Sequence, residues 1–288
     1  MIIQYILLGA AICSVWLPPI QFGDRRFPPW VLVYIAAASI AAYTTTITAP
    51  AIFTLIVLLA LAWVAHAARG AVRVVLVLLT AFGSLALSLH IAPGFYNLNW
   101  LSSVKLNADA VPFTLTVNFD KGSAGLFLFA LLVPHLTSIG DLRSIWKPTL
   151  VIALVTTCVV VATAVIIGYT RFEPKILPET AGFLLINLFF TCFAEEAFFR
   201  GLLQESLHKF ATRQSRPWIN YIAITLSALL FGAVHTSGGL QYMMLASLAG
   251  FGNAITYART RKVEASVFTH FTLNTTHFIF FTYPALAH

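Results

Sequence analysis

Residues Thr191–Gln204 read TCFAEEAFFRGLLQ, inside an apolar run that extends from Ala181 to Leu207. A run of that length is enough to cross a bilayer as a helix, which takes about 17–25 residues. Two adjacent carboxylates, Glu195 and Glu196, interrupt it, and Arg200 follows four positions after Glu196. Residues four apart are neighbours on a helix, so Glu196 and Arg200 can pair. Glu195 is turned roughly 100° away around the axis. An ionised group in hydrocarbon costs at least ~2.5–3.5 kcal/mol, which makes an intramembrane carboxylate a functional candidate by default. A structural knot between helices would account for the pair; the second acid is left over and points to chemistry.

Composition agrees with a membrane setting. The 288 residues are 59% hydrophobic and 9% charged, with a mean hydropathy of +0.86. Soluble domains carry roughly 25% charged residues, so this chain has too few to cover a wetted surface. The expected fold is all-α: a polytopic transmembrane bundle of about 8–10 spans. Ten candidate runs are present, at about 3–20, 30–46, 50–67, 72–92, 123–139, 149–169, 181–207, 218–236, 240–258 and 264–286. The first is read as a retained span, because Met1–Trp16 has no basic region and no small-residue cleavage site. Two domains are expected: residues 1–180, without a recognisable motif, and a catalytic core at 181–288.

The formal charge of +7 is not a nucleic-acid footprint. Twelve of the basic residues fall in alternate loops, among them Arg25/Arg26, Arg143/Lys147, Lys209/Arg213/Arg216 and Arg259/Arg261/Lys262, against four in the others. The positive-inside rule then puts those loops in the cytoplasm and both termini outside. An integral, multi-pass protein of a prokaryotic plasma (inner) membrane is the expected setting, with the lipid bilayer as a partner; oligomeric state is not written in the sequence. Cys13, Cys158 and Cys192 share no metal-like spacing and read as small buried hydrophobes. The long loop 93–122 carries aromatics suited to packing at the interface. Asn274-Thr-Thr fits a glycosylation sequon but lies inside a span. His66, His90 and His135 sit near span ends, His208 reads as solvated, and Glu205 and Glu264 are expected to pair with adjacent basic loops.

Three more polar features lie in the last third. Phe231-x-x-x-His235 ends a span and is followed by Thr-Ser-Gly-Gly239. His270-x-x-x-Asn274 puts a histidine and an amide on one helix face, and His277 falls near that face. Singly, each histidine reads as a hydrogen-bonded core residue. If they converge with Glu195, they supply what hydrolysis needs: a carboxylate to take a proton from water, a histidine to share that task, and donors for a developing oxyanion. Depth is the difficulty. His235 lies roughly 27 Å along its helix from Arg216, His270 only about 12 Å from Lys262. A 240–258 segment that does not fully cross would close the gap.

Taken in order, Glu195-Glu196-x-x-x-Arg200, Phe231-x-x-x-His235 and His270-x-x-x-Asn274 resemble the three motifs of the CPBP (Abi/CAAX-type) intramembrane proteases, which include the type II CAAX prenyl endopeptidases. The resemblance covers about residues 181–284. It implies a helical bundle around an intramembrane catalytic cavity, with a membrane-anchored protein or peptide as substrate and partner: an intramembrane endopeptidase in which Glu195 activates water with His235. His270 and Asn274 would stabilise the oxyanion, and Glu196 with Arg200 would brace the site. The family has been described as metallo- and as metal-free glutamic proteases. No cofactor is the favoured reading; zinc, if present, would take Glu195, His235 and His270. A transporter or proton relay would use the same buried charges, though no inverted repeat is visible. A non-catalytic scaffold or immunity protein is the third reading, and it needs none of the motifs.

Overall fold

The computed structural model describes residues 2–287. In chain order the elements are helix α1 (Ile3–Cys13), a hairpin of β1 (Ile20–Phe22) and β2 (Arg25–Phe27), and helices α2 (Pro29–Tyr43), α3 (Ala49–Ala67) and α4 (Gly70–Ser88). A two-stranded ribbon of β3 (Leu98–Val104) and β4 (Phe113–Val117) occupies the long loop. Helices α5 (Phe119–Leu131) and α6 (Ile139–Ile166) follow. After them come the long helical run α7 (Thr180–Arg213), then α8 (Ile219–Ala233), α9 (Gly239–Thr260) and α10 (Val263–Phe280).

Each of the ten apolar runs forms helix. By length and composition α3, α4, α6 and α7 can each cross a membrane alone, and α8 with α9 makes a fifth if the pair is one span. The expectation of ten separate crossings is therefore corrected in its detail. Helices α1 and α2 are too short to cross unaided, and α8 and α9 meet at a break with a 52° bend between them. The break follows from Thr-Ser-Gly-Gly: Gly239 takes a φ of +88°, which L side chains rarely adopt.

One compact unit comprises residues 2–99, 116–133 and 189–194. Prolines open α2 and α3, where a missing N–H costs nothing. Fully buried Ala37 and Ala41 on α2 and Ala51 and Ala62 on α3 let these helices pack closely. The window of α4 is only 17% buried, and Val72, Val75, Leu78 and Phe82 project from it exposed. An apolar face of that extent is at home in lipid, not water. Helix α5 begins four residues earlier than its apolar run, because Asp120 is buried as a polar anchor. Its carboxylate accepts from Asn97 Nδ2 (3.0 Å) and lies 2.7 Å from His90 Nδ1. His66 Nδ1 lies 2.6 Å from the carbonyl of Leu131, so the expected hydrogen bonds at span ends are present at both histidines.

The second unit holds residues 100–115, 134–188 and 195–287. Ser138 caps α6 by accepting from Asp141 N (3.1 Å). Helices α6, α9 and α10 pack together. Gly252 on α9 allows the closest approach to α6: a Cβ there would lie 2.2 Å from Thr156 Oγ1. In the long loop, Phe113 packs edge-on against Tyr283 at 4.9 Å, as its aromatics suggested. His208 is not simply solvated; it is half-buried with Nδ1 2.7 Å from Asn220 Oδ1. Glu205 pairs with Lys209 (3.4 Å) and with Arg261, and Tyr257 donates to it at 2.7 Å. The carboxylate of Glu264 accepts from the backbone of Leu136 at 2.6 Å.

Candidate active site

The α7 helix is widened to π-helical geometry at Asn187–Cys192 and again at Ala197–Gln204, leaving Phe193–Glu196 as a single α-turn between them. Such bulges loosen the i→i−4 ladder and recur at functional sites. Here they bracket the two glutamates, so each carboxylate leaves the helix from a locally distorted stretch.

Glu196 is fully buried and ringed by donors. Asn253 Nδ2 donates to its Oε1 at 2.8 Å, and His270 Nδ1 lies 2.9 Å from the same oxygen. Arg200 Nε stands 3.1 Å from Oε2 as an ion pair not aligned as a hydrogen bond. Arg200, also fully buried, donates from Nη2 to the carbonyl of Gly250 at 2.8 Å, and its guanidinium lies 4.7 Å from the centre of the Phe231 ring. The desolvation cost of two buried ions is offset only where geometry is good and the remaining polar atoms are served. Three separate helices serve this pair.

A carboxylate can only accept, so Nδ1 of His270 carries a hydrogen. The second histidine is fixed in a comparable way. His235 Nδ1 lies 2.6 Å from the carbonyl of Phe231, one turn earlier, and a carbonyl also only accepts. In the neutral ring its Nε2 is therefore the basic nitrogen. That nitrogen faces Glu195 Oε2 at 4.0 Å, beyond direct hydrogen-bond reach. A water between a carboxylate and an imidazole could serve both as proton donor, which is the arrangement that water activation requires.

The depth problem posed by the sequence is resolved by the break after α8. Close approaches pair Gly232 with Ser247 and Gly250 with Ala228, an antiparallel register, so α9 runs back along α8. His235 stands at the turn. The Phe231 ring is 4.8 Å from the His235 ring and 5.4 Å from the His270 ring. Both histidines thus flank one aromatic wedge despite their different distances from the loops. Asn274, one turn beyond His270, donates from Nδ2 to Asn187 Oδ1 at 3.2 Å.

All six residues singled out by the motifs lie in the second unit, on α7, at the end of α8 and on α10. Two partners were not singled out: Asn253 and Asn187. Each was visible as an amide inside an apolar run, where an unpartnered polar group costs several kcal/mol or about that. His277, though near the His270 face, lies instead beside Tyr283, ring centres 5.0 Å apart. Among the described residues no three His, Cys, Asp or Glu side chains are gathered closely enough to hold a metal ion.

These features define a class: a multi-pass helical membrane protein with acids and histidines gathered among apolar helices. Residues 177–276 match the family model described as type II CAAX prenyl endopeptidase Rce1-like. The match covers residues 177–276 of the 288 and makes that segment similar to the CAAX-type membrane proteases. Neither the comparison with curated proteins nor that with solved structures finds a match.

Proposed function

We propose that the chain hydrolyses a peptide bond of a membrane-associated protein or peptide, using water activated by Glu195, with residues 181–288 as the catalytic core. The observation that supports this most is the facing of Glu195 on α7 and His235 at the turn after α8 across 4.0 Å. In this reading Glu195 takes the proton as water attacks the carbonyl carbon, and His235 Nε2 accepts the water's second hydrogen bond. The proton then passes to the leaving amine. His270 and Asn274 donate to the carbonyl oxygen as it gains charge. For His270 that task requires a hydrogen on Nε2 as well as on Nδ1. The carboxylate of Glu196 holds the Nδ1 hydrogen and fixes the orientation of the ring.

Metal-free catalysis is part of the proposal. Purified enzyme in proteoliposomes should cleave a membrane-anchored peptide after exhaustive chelation and dialysis at an undiminished rate. One tightly held zinc per chain, lost in His235→Ala and His270→Ala together with activity, would overturn the glutamic mechanism and leave the protease assignment standing.

Asn253 acts in this scheme through Glu196, as a positioning residue. Asn253→Ala removes one hydrogen bond to a buried carboxylate, worth about 1.5–3 kcal/mol. Turnover should fall roughly tenfold or more on that basis, with KM little changed and the acid limb of the pH profile displaced. Asn253→Asp, which puts a second carboxylate beside Glu196, should be worse than alanine. An unchanged pH profile in a folded Asn253→Ala protein would reduce the residue to packing. The orientation, with both termini outside the cytoplasm, belongs to the same proposal; it predicts cytoplasmic reporter signals at Arg213 and Gly140.

A further inference from the structure

The charged residues of α6 and α9 mark one level of the molecule. Lys147 is the last charge before the uncharged stretch 148–170, and Arg259 is the first charge after the uncharged stretch 239–258. Such boundaries lie where a helix passes from hydrocarbon into the headgroup layer. The two helices are held together below that level at the Gly252–Thr156 approach. Above it they part, and a cleft of about 330 Å³ opens between them, lined by Lys147, Pro148, Val151, Ile152, Ile255 and Arg259. Val151 and Ile255 are exposed in it, although they lie in the apolar stretches.

The acids of this end are already engaged. Asp141 lies 3.2 Å from Lys262 Nζ, and Glu205 binds Lys209 and Arg261. Among the described residues neither Lys147 nor Arg259 has an ion pair or a hydrogen bond to another side chain. Two cations without an ion pair thus belong to the lining of an apolar groove, at the boundary between charged and uncharged sequence. Arg143, one turn before Lys147, adds a third exposed charge at the mouth.

We propose that this cleft binds one anionic phospholipid, its phosphate between Lys147 and Arg259 and an acyl chain along Val151, Ile152 and Ile255. The complementarity is twofold: a negative, oxygen-rich head matches the cations, and a hydrocarbon chain matches the wall beneath them. Basic pockets between transmembrane helices are suited to such headgroups. A soluble anion would use only the upper half of the site. A zwitterionic lipid would bring a choline cation to the two positive side chains.

The test uses the full purified chain in mild detergent with phosphatidylglycerol, phosphatidylcholine of the same acyl chains, or inorganic phosphate. Phosphatidylglycerol at a hundredfold excess over Kd should raise Tm by about 5 °C, and native mass spectrometry should show one retained lipid. Phosphatidylcholine and phosphate should do neither. The variant K147Q/R259Q should keep the unliganded Tm and cleavage activity while losing the phosphatidylglycerol shift and the retained lipid. Ile255→Trp, which fills the lower cleft without touching charge, should lose both as well, so a folding defect in one variant does not decide the matter. An undiminished shift in K147Q/R259Q, or an equal shift with phosphatidylcholine or with phosphate alone, would overturn the proposal.

Discussion

Glu195→Gln is expected to lower peptide cleavage by ~10²–10⁴, the range that a positioned general base contributes, with protein abundance and Tm unchanged. The substitution keeps the shape of the side chain and removes its basicity. It leaves Arg200 paired, because Glu196 Oε2 lies 3.1 Å from its Nε. Nor does it disturb His235, whose Nδ1 is held by the carbonyl of Phe231. Cleavage of a membrane-anchored peptide in proteoliposomes, normalised to folded protein, is the measurement. Near-normal turnover would remove Glu195 from the mechanism and return the adjacent acids to a structural reading.

The largest effect on stability is expected at Glu196. Glu196→Ala strands Arg200 at full burial, and breaking a buried pair in that way typically costs about 3–5 kcal/mol. Only the carbonyl of Gly250 and the neighbouring aromatic faces would then remain around the guanidinium. Denaturation in mixed micelles should show the loss directly. Replacing both partners, E196M/R200M, should recover most of the stability, since no uncompensated ion is left in the apolar interior. Activity should not return in that double variant, because His270 and Asn253 have still lost their acceptor. Recovery of turnover along with stability would show that Glu196 braces helices and does nothing for His270.

These two glutamates also mark how far the linear chain can be read. Membrane character, helical class and the pairing of Glu196 with Arg200 were legible because they rest on short-range rules. Hydrocarbon demands that backbone hydrogen bonds be satisfied within the helix, and residues four apart meet on one helical face. The motifs at 195–200, 231–235 and 270–274 were legible for the same reason, each being a single turn of helix. The third member of the family pattern even carried its spacing intact.

What joins those turns is not local. The number of crossings was not legible because an apolar run of seventeen residues reads alike whether it crosses, lies short, or turns back at a glycine. Gly239 at φ +88° and the antiparallel register of α9 on α8 make the turn within residues 219–260. They also bring His235 and His270 to the two sides of Phe231. The partners Asn253 and Asn187 escaped notice since an amide's worth depends on what faces it, fifty-seven and eighty-seven residues away. The sequence by itself determined that charge would be buried in hydrocarbon and which turns would carry it. Only the tertiary structure decided which oxygen each histidine meets, because a ring's tautomer is set by its neighbour's lone pair and not by its place in the chain.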